Sequence, residues 1–257
     1  MTPWRTSSAH KFDLAQSSQK NYNSAQFVRA RGVSILALAN ASSIRPKESR
    51  SELSALSRER MSSSEFRYRN GTEIYGEAEP AEFIYQIVEG AVRSYKLLSD
   101  GRRQIGGFHL AGDIFGVENG NVHRFTAEAI VDTTVGLLRR RGLEDVAEGD
   151  VSVTHDLLYL TMKNLQHAED HMLLLGRKTS LEKVAAFLLE MDSRLTAAGV
   201  MTLPMNRRDI ADYLGLSLET VSRALSMLRD KGILTFIGQT QREIVLLDRS
   251  KLAGLDL

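Results

Sequence analysis

Within the stretch DIADYLGLSLETVSRAL, residues 209–225, Glu219, Ser222 and Arg223 fall on one face of a helical repeat, with Ser226 one turn on. Val221, Leu225 and Leu228 fall on the opposite face. The apolar face is what a helix needs in order to pack. The carboxylate, hydroxyl and guanidinium are not needed for packing, and their chemistry suits the edges of base pairs. An Arg can donate two parallel hydrogen bonds to O6 and N7 of guanine, and a Glu can accept from the N4 amine of cytosine. Ser217 and Thr220 at the helix start, and Arg207 before it, are placed to donate to phosphate. The free N–H groups and positive dipole end of the helix favour the same anion. As a surface pair alone, Glu219 and Arg223 would make an i,i+4 ion pair of about 0.3–0.5 kcal/mol. That reading leaves the surrounding punctuation without a cause.

The punctuation is specific. SLEKVAAFLLEMDSRL reads as an amphipathic helix with Ser180 as its N-cap. MNRRDIADYLG reads as a second, capped by Asn206 with Asp209 three residues on, the spacing of a capping box. Gly215 supplies the turn, Ser217 caps the next helix over Leu218 to about Lys231, and Gly232 closes it. ILTFIGQTQREIVLLD follows as two strand-like runs around Gly238. Two helices across a short turn, followed by a hairpin, make a winged helix-turn-helix over residues 177–257. Its second helix is the kind that enters a DNA major groove.

Upstream, residues 54–149 carry short alternating runs separated by glycine turns. After a short helix from about Ser54, the pattern predicts an antiparallel sandwich or barrel. Asn70–Gly71 and Asp100–Gly101 have the composition of tight hairpin turns. Residues 150–176 change period. Leu158, Met162, Leu165, Ala168, Met172 and Leu175 recur at steps of three and four, and no Gly or Pro interrupts Val151–Leu175. Those 25 residues predict a helix about 37 Å long. Its seam expects the same helix of a second subunit, making a homodimer; the alternative is packing on its own barrel. The fold class is therefore α+β: a β-roll, a long dimerisation helix and a C-terminal winged helix-turn-helix.

The chain has 257 residues, 42% of them hydrophobic, and a formal net charge of +1. A near-neutral balance means that attraction to a polyanion must come from a local patch. With no cysteine, disulfides, thiolate zinc sites, thiolate-held iron–sulfur clusters and a cysteine nucleophile are excluded. No apolar run approaches a membrane span, so the chain is read as cytoplasmic and without a membrane partner. Residues 1–53, poor in acids and rich in Ser, Ala, Asn and Gln, have a bias like that of a transit peptide and are expected to be a disordered tail. His167 and His171 have zinc-compatible i,i+4 spacing but lack a third ligand, and are expected to face solvent. No P-loop and no catalytic constellation is present.

RRDIADYLGLSLETVSRALSMLRDKGIL, preceded by a glycine-turned barrel and a long seamed helix, resembles the CRP/FNR family of bacterial transcription regulators over about residues 60–250. E-x-x-S-R in the recognition helix resembles the FNR branch. The cyclic-AMP branch is similar but carries Gly at the Ser222 position and Arg at the Leu218 position. The resemblance implies binding to an inverted repeat of TTGAT-type half-sites, with Arg223 on the guanine, Glu219 on the opposing cytosine and Ser222 on a neighbouring thymine. It also implies contact with RNA polymerase. Where the family's cyclic-nucleotide pocket has an Arg for the phosphate, this chain has Phe125, followed by Thr126. A phenyl ring cannot pair with a buried phosphate. Arg124, one residue away, would point to the other face.

With no thiolates for an iron–sulfur cluster, GDIFGVENGNVHRFTAEA resembles the FixK-type subgroup, activators of genes for microaerobic respiration and nitrogen fixation. That resemblance implies no cofactor and regulation by protein amount. The alternative is an effector-gated regulator whose β-roll binds a small ligand or haem, with His109, His123 or His155 offered to the iron.

Overall fold

Among the described residues of the first half of the chain, apolar residues alternating with polar ones build eight strands: β1 Ser64–Tyr68, β2 Glu73–Tyr75, β3 Phe83–Glu89, β4 Ala91–Leu97, β5 Arg103–Leu110, β6 Ile114–Phe115, β7 Thr126–Ala129 and β8 Thr133–Arg139. The computed structural model describes residues 64–141 and 149–255, all within one compact unit. The tail expected over 1–53 and the start of the short helix expected from Ser54 lie outside the described residues. The strands form two antiparallel sheets, ordered β1-β8-β3-β6 and β2-β7-β4-β5. Between the sheets, Tyr75, Tyr85, Ile87, Val92, Phe115, Ala127 and Val135 make one core. This is the expected β-roll.

Gly71 and Gly101 have φ of +79° and +81°, as the Asn-Gly and Asp-Gly turns require. Gly90, between β3 and β4, has a second constraint. At φ +99°, a Cβ there would stand 2.5 Å from the Thr133 hydroxyl oxygen, so only glycine fits.

The helices that follow among the described residues are α1 Val151–Arg177, α2 Ser180–Leu195, α3 Arg207–Leu214, α4 Leu218–Asp230 and α5 Arg249–Ala253. Asp150 caps α1 by accepting from the Ser152 N–H. The helix runs through Gly176 and stops where Lys178 turns extended, two residues past the seam. Its apolar residues divide between two faces. Val153, Leu157 and Leu160 pack on Ile84, Ile114 and Leu138 of the roll. Leu158 (59% exposed), Met162, Leu165, Ala168 and Met172 (66%) stand in solvent. Leu175 is half-buried and leans on the Gly215 turn, so it leaves the exposed seam.

The expected cap of α2 is corrected by one residue. Thr179, not Ser180, is the N-cap. Its hydroxyl accepts from the Glu182 N–H at 3.4 Å and its own N–H donates to the Glu182 carboxylate at 2.7 Å. The reciprocal box needs its two partners three residues apart, and Thr179 and Glu182 have that spacing.

The hairpin after α4 is β11 Leu234–Ile237 and β12 Glu243–Leu246, turned at Gly238 with φ +71°. It is half of a four-stranded sheet, ordered β11-β12-β10-β9, completed by β9 Thr196–Ala197 and β10 Val200–Thr202. Phe187, Leu188 and Met191 of α2 anchor the core of this half together with α3, α4 and the wing. Phe187→Ala should cost about 3–5 kcal/mol of unfolding free energy, measured by urea denaturation of the whole chain.

Candidate nucleic-acid interface

The two helices that frame the site are held by side-chain caps at one end and glycines at the other. Asn206 Oδ1 accepts from the Asp209 N–H at 2.9 Å, and Asp209 returns the bond to the Asn206 N–H at 3.3 Å. Gly215 ends α3 in the left-handed region, φ +63°, which a residue with a Cβ rarely adopts. Ser217 Oγ then accepts from the Thr220 N–H at 3.2 Å and starts α4. Gly232, φ +67°, closes it, with its N–H on the Arg229 carbonyl and that of Ile233 on Leu228.

Val221, Ala224, Leu225 and Leu228 of α4 are buried in one cluster with Ile210, Ala211 and Leu214 of α3. This fixes the rotation of α4. Glu219 and Arg223 are exposed and Ser222 and Ser226 half-exposed on its outer side. Ser222, Arg223, Ser226, Met227, Asp230 and Lys231 line a shallow concavity there.

The Glu219 carboxyl is held below its ordinary pKa, first by its own backbone N–H, then by the Ser217 hydroxyl, and further by the charges of Arg223 and Arg208. It therefore stays an anion and an acceptor at neutral pH. Arg208 is exposed and was not singled out by sequence. Its place in the first turn of α3, across the Gly215 turn from Glu219, was the only available signal.

The three expected phosphate donors differ in their surroundings. Ser217 is exposed and Thr220 half-exposed, with their hydroxyls 3.0 Å apart. Arg207 is half-buried. Its guanidinium lies 5.6 Å from the centre of the Phe236 ring and donates to Gln241 Oε1, so it ties α3 to the wing. Its pKa is lowered, first by burial and then by the neighbouring Arg229 cation.

His171 departs from the sequence expectation. It is half-buried, stacks on Tyr213 at 4.1 Å between ring centres and meets the Tyr213 carbonyl at 3.0 Å. An imidazole has one flat apolar face and two polar nitrogens, and this position uses both. No group of three metal-ligating side chains exists among the described residues.

In the roll, Phe125 is half-buried against Gly106, where a Cβ would come within 2.8 Å of the ring. Lys96 stands 5.6 Å over the Phe125 ring and is paired with Glu77 at 2.6 Å. Thr126 accepts from the Glu77 N–H at 3.0 Å. Arg124 is exposed and bonded to Glu118. Of the three histidines considered for haem, His109 meets the Ser94 hydroxyl at 2.8 Å, His123 is buried in a stack on Tyr75, and His155 is exposed.

Comparison with known proteins fits this geometry. Residues 182–255 match the Crp-like helix-turn-helix domain and residues 65–150 the cyclic nucleotide-binding domain. The chain is 42% identical over 167 residues to the nitrogen fixation regulation protein FixK of Rhizobium meliloti, covering 65% of this chain and 76% of that one. It is also 42% identical over 194 residues to FixK of Azorhizobium caulinodans, covering 74% and 77%. The structure of FixK2 from Bradyrhizobium japonicum superposes with a TM-score of 0.74 at 63% identity, over 77% of this chain and 98% of that one.

The cap on α4 yields a two-part prediction. Ser217→Ala should cost about 1 kcal/mol of stability, measured by thermal unfolding. It should also raise the Glu219 side-chain titration midpoint towards 4.5, read by NMR. Because the folded-state value lies below the unfolded one, the stability linked to Glu219 is present above the unfolded value and lost as pH falls through the folded one.

Proposed function

Because the chain belongs to the CRP/FNR family of transcription regulators, in its FixK-type subgroup, we propose that it acts as a homodimeric activator that binds an inverted repeat of TTGAT-type half-sites with no small-molecule effector. It is a DNA-binding regulator rather than an enzyme. The observation that carries the reading is the outer face of α4. Glu219, Ser222 and Arg223 project away from the molecule while the opposite stripe is sealed in the core. Arg223 reads guanine, Glu219 the opposing cytosine, and Ser222 a neighbouring thymine.

Ser217 and Thr220 donate to the phosphates flanking the groove, where the helix N-terminus favours an anion. Arg207 joins them from the wing side. Its like-charge neighbour Arg229, itself paired with Asp230 at 2.9 Å, adds to the positive charge on that side.

The exposed stripe on α1 supports pairing of two chains. Leu158, Met162, Leu165, Ala168 and Met172 form a continuous apolar strip of the kind that monomers rarely leave in water. Each chain then offers one recognition helix to one major groove, with half-site centres about 34 Å apart. By likeness to FixK, the target genes serve nitrogen fixation. Contact with RNA polymerase is part of the same proposal.

The effector-free reading rests on Phe125. The position expected to neutralise a cyclic phosphate is a ring packed on Gly106. A cyclic nucleotide would bury its charge there unpaired.

Selection of bound sequences from a random DNA pool, using purified protein with no added ligand, should return the TTGAT palindrome. Arg223→Ala should cost about 1–3 kcal/mol per half-site and relax preference at the guanine; unchanged selectivity would remove Arg223 from the reading. Arg207→Ala should weaken binding to all sequences and flatten its salt dependence, read from affinities at several salt concentrations. Since the chain has no cysteine of its own, Met162→Cys should give a disulfide-linked dimer on mild oxidation. A monomer on the gel, together with a monomer in sedimentation of the parent, would rule out pairing through α1.

A further inference from the structure

One buried carboxylate has more partners than its helix cap requires. Asp209, the partner of the Asn206 cap at the third position of α3, is 1% exposed. Its Oδ2 accepts from the Asn206 N–H. Its Oδ1 takes two guanidinium groups from the roll: Arg93 Nη1 at 2.7 Å and Arg103 Nη2 at 2.6 Å. Arg93 lies on β4 and reaches on to Glu128 of β7 at 2.7 Å. Arg103 starts β5 and also bonds Asp212, one turn along α3, through Nε at 2.8 Å. The Tyr95 ring lies 5.9 Å from the Arg93 guanidinium and 5.5 Å from that of Arg103. The two arginine side chains are 13% and 19% exposed. Charges this sheltered are screened little by salt. Two cations face three carboxylates, from Glu128, Asp209 and Asp212, so every charge in the group has an opposite partner.

The far end of α3 is held as well. The Tyr213 carbonyl meets His171 of α1 at 3.0 Å and Gln104 of β5 at 3.4 Å. The helix that backs the recognition helix is thus fixed at both ends to the other half of the molecule. A buried ion cluster is weak evidence for stability, since apolar side chains of the same volume often serve as well. Its particular property is direction: bonds to guanidinium forks have fixed geometry, and a greasy contact can slide.

We infer that Asp209 is a positioning residue for DNA binding. Gripped by Arg93 and Arg103, it locks α3, and through α3 the reading face of α4, at one angle to the roll, so that the two recognition helices of a dimer are set for successive grooves with no effector to set them. The inference rests on the proposed function and explains how binding without ligand is achieved. The lock is built from residues 93, 103, 209 and 212, and none of them lies on the recognition helix α4.

The test uses the full chain and two variants that cut the lock from opposite sides. Asp209→Asn keeps an acceptor for the cap and removes the charge. Arg103→Gln cuts the bonds from the roll side and leaves the residues of α3 and its cap unchanged. Val184→Ala, in the core of α2, serves as a control that destabilises without touching the lock. Affinity for the palindrome, corrected for folded fraction, should fall at least tenfold in both lock variants and stay at the parent value in Val184→Ala. Equal losses in all three would make Asp209 merely structural and overturn the inference.

A second readout needs no DNA. Cysteines introduced at exposed Val88 and Lys231 carry spin labels specifically, because the chain has none of its own, and labelled chains are diluted with unlabelled ones. The distance distribution between roll and recognition helix should be narrow in the parent and broad in Arg103→Gln. An unchanged width would overturn the lock whatever the DNA result. A broadened width in a protein that does not bind the palindrome would instead overturn the proposed function and leave the lock standing.

Discussion

The apolar stripe of α4 decides everything that the outer face of that helix can do. Val221, Leu225 and Leu228 are driven from water onto Ile210 and Leu214, which leaves the helix a single rotational setting. Once that setting is fixed, Glu219, Ser222 and Arg223 have no choice of direction. The caps then set where the helix begins, and so which residues lie on its outer face near the start. A one-residue change in the start of α4 would rotate the outer face by about 100° at 3.6 residues per turn. Gly215 and Ser217 prevent this by giving the turn one conformation and the first free N–H groups one partner.

The roll contributes the two arginines that grip α3. In the CRP/FNR family this module matches the cyclic nucleotide-binding domain, and the strands and turns of that domain are present. Phe125 stands where the resemblance expects the phosphate-pairing Arg. Phe125 lies on Gly106, and Lys96, the cation above the ring, is neutralised by Glu77. The fold has kept the architecture of a sensor, while its charged residues are turned outward to the DNA-binding half through Arg93 and Arg103.

Much of this was legible in the sequence because the signals are local. A glycine between two helical patterns, an Asn three residues before an Asp, and an Asn-Gly between strands each act within a few residues, and each is found where expected. The cap of α2 was misread by one residue because Thr179 and Ser180 are chemically alike, and only the reciprocal bond with Glu182 separates them. The strands β9 and β10 were missed because TAAGVMT is too short to show a period. The place of His171 against Tyr213 and the joining of Arg207 to Gln241 could not be read, since they link residues 42 and 34 positions apart. The bonds of Arg93 and Arg103 to Asp209 span 116 and 106 positions. No pattern along the chain announces such pairs, because each partner alone looks like an ordinary surface charge.

The strip of bare side chains along α1 bears on how sharply a cell could throw this switch. A species that must pair before it can act is formed in proportion to the square of the amount synthesised, as long as most chains are single. In that regime, doubling production yields about four times as much active species. An upstream signal that modestly alters synthesis would be steepened without any ligand, by mass action alone. Proteolysis or dilution would switch the system off along the same steep curve.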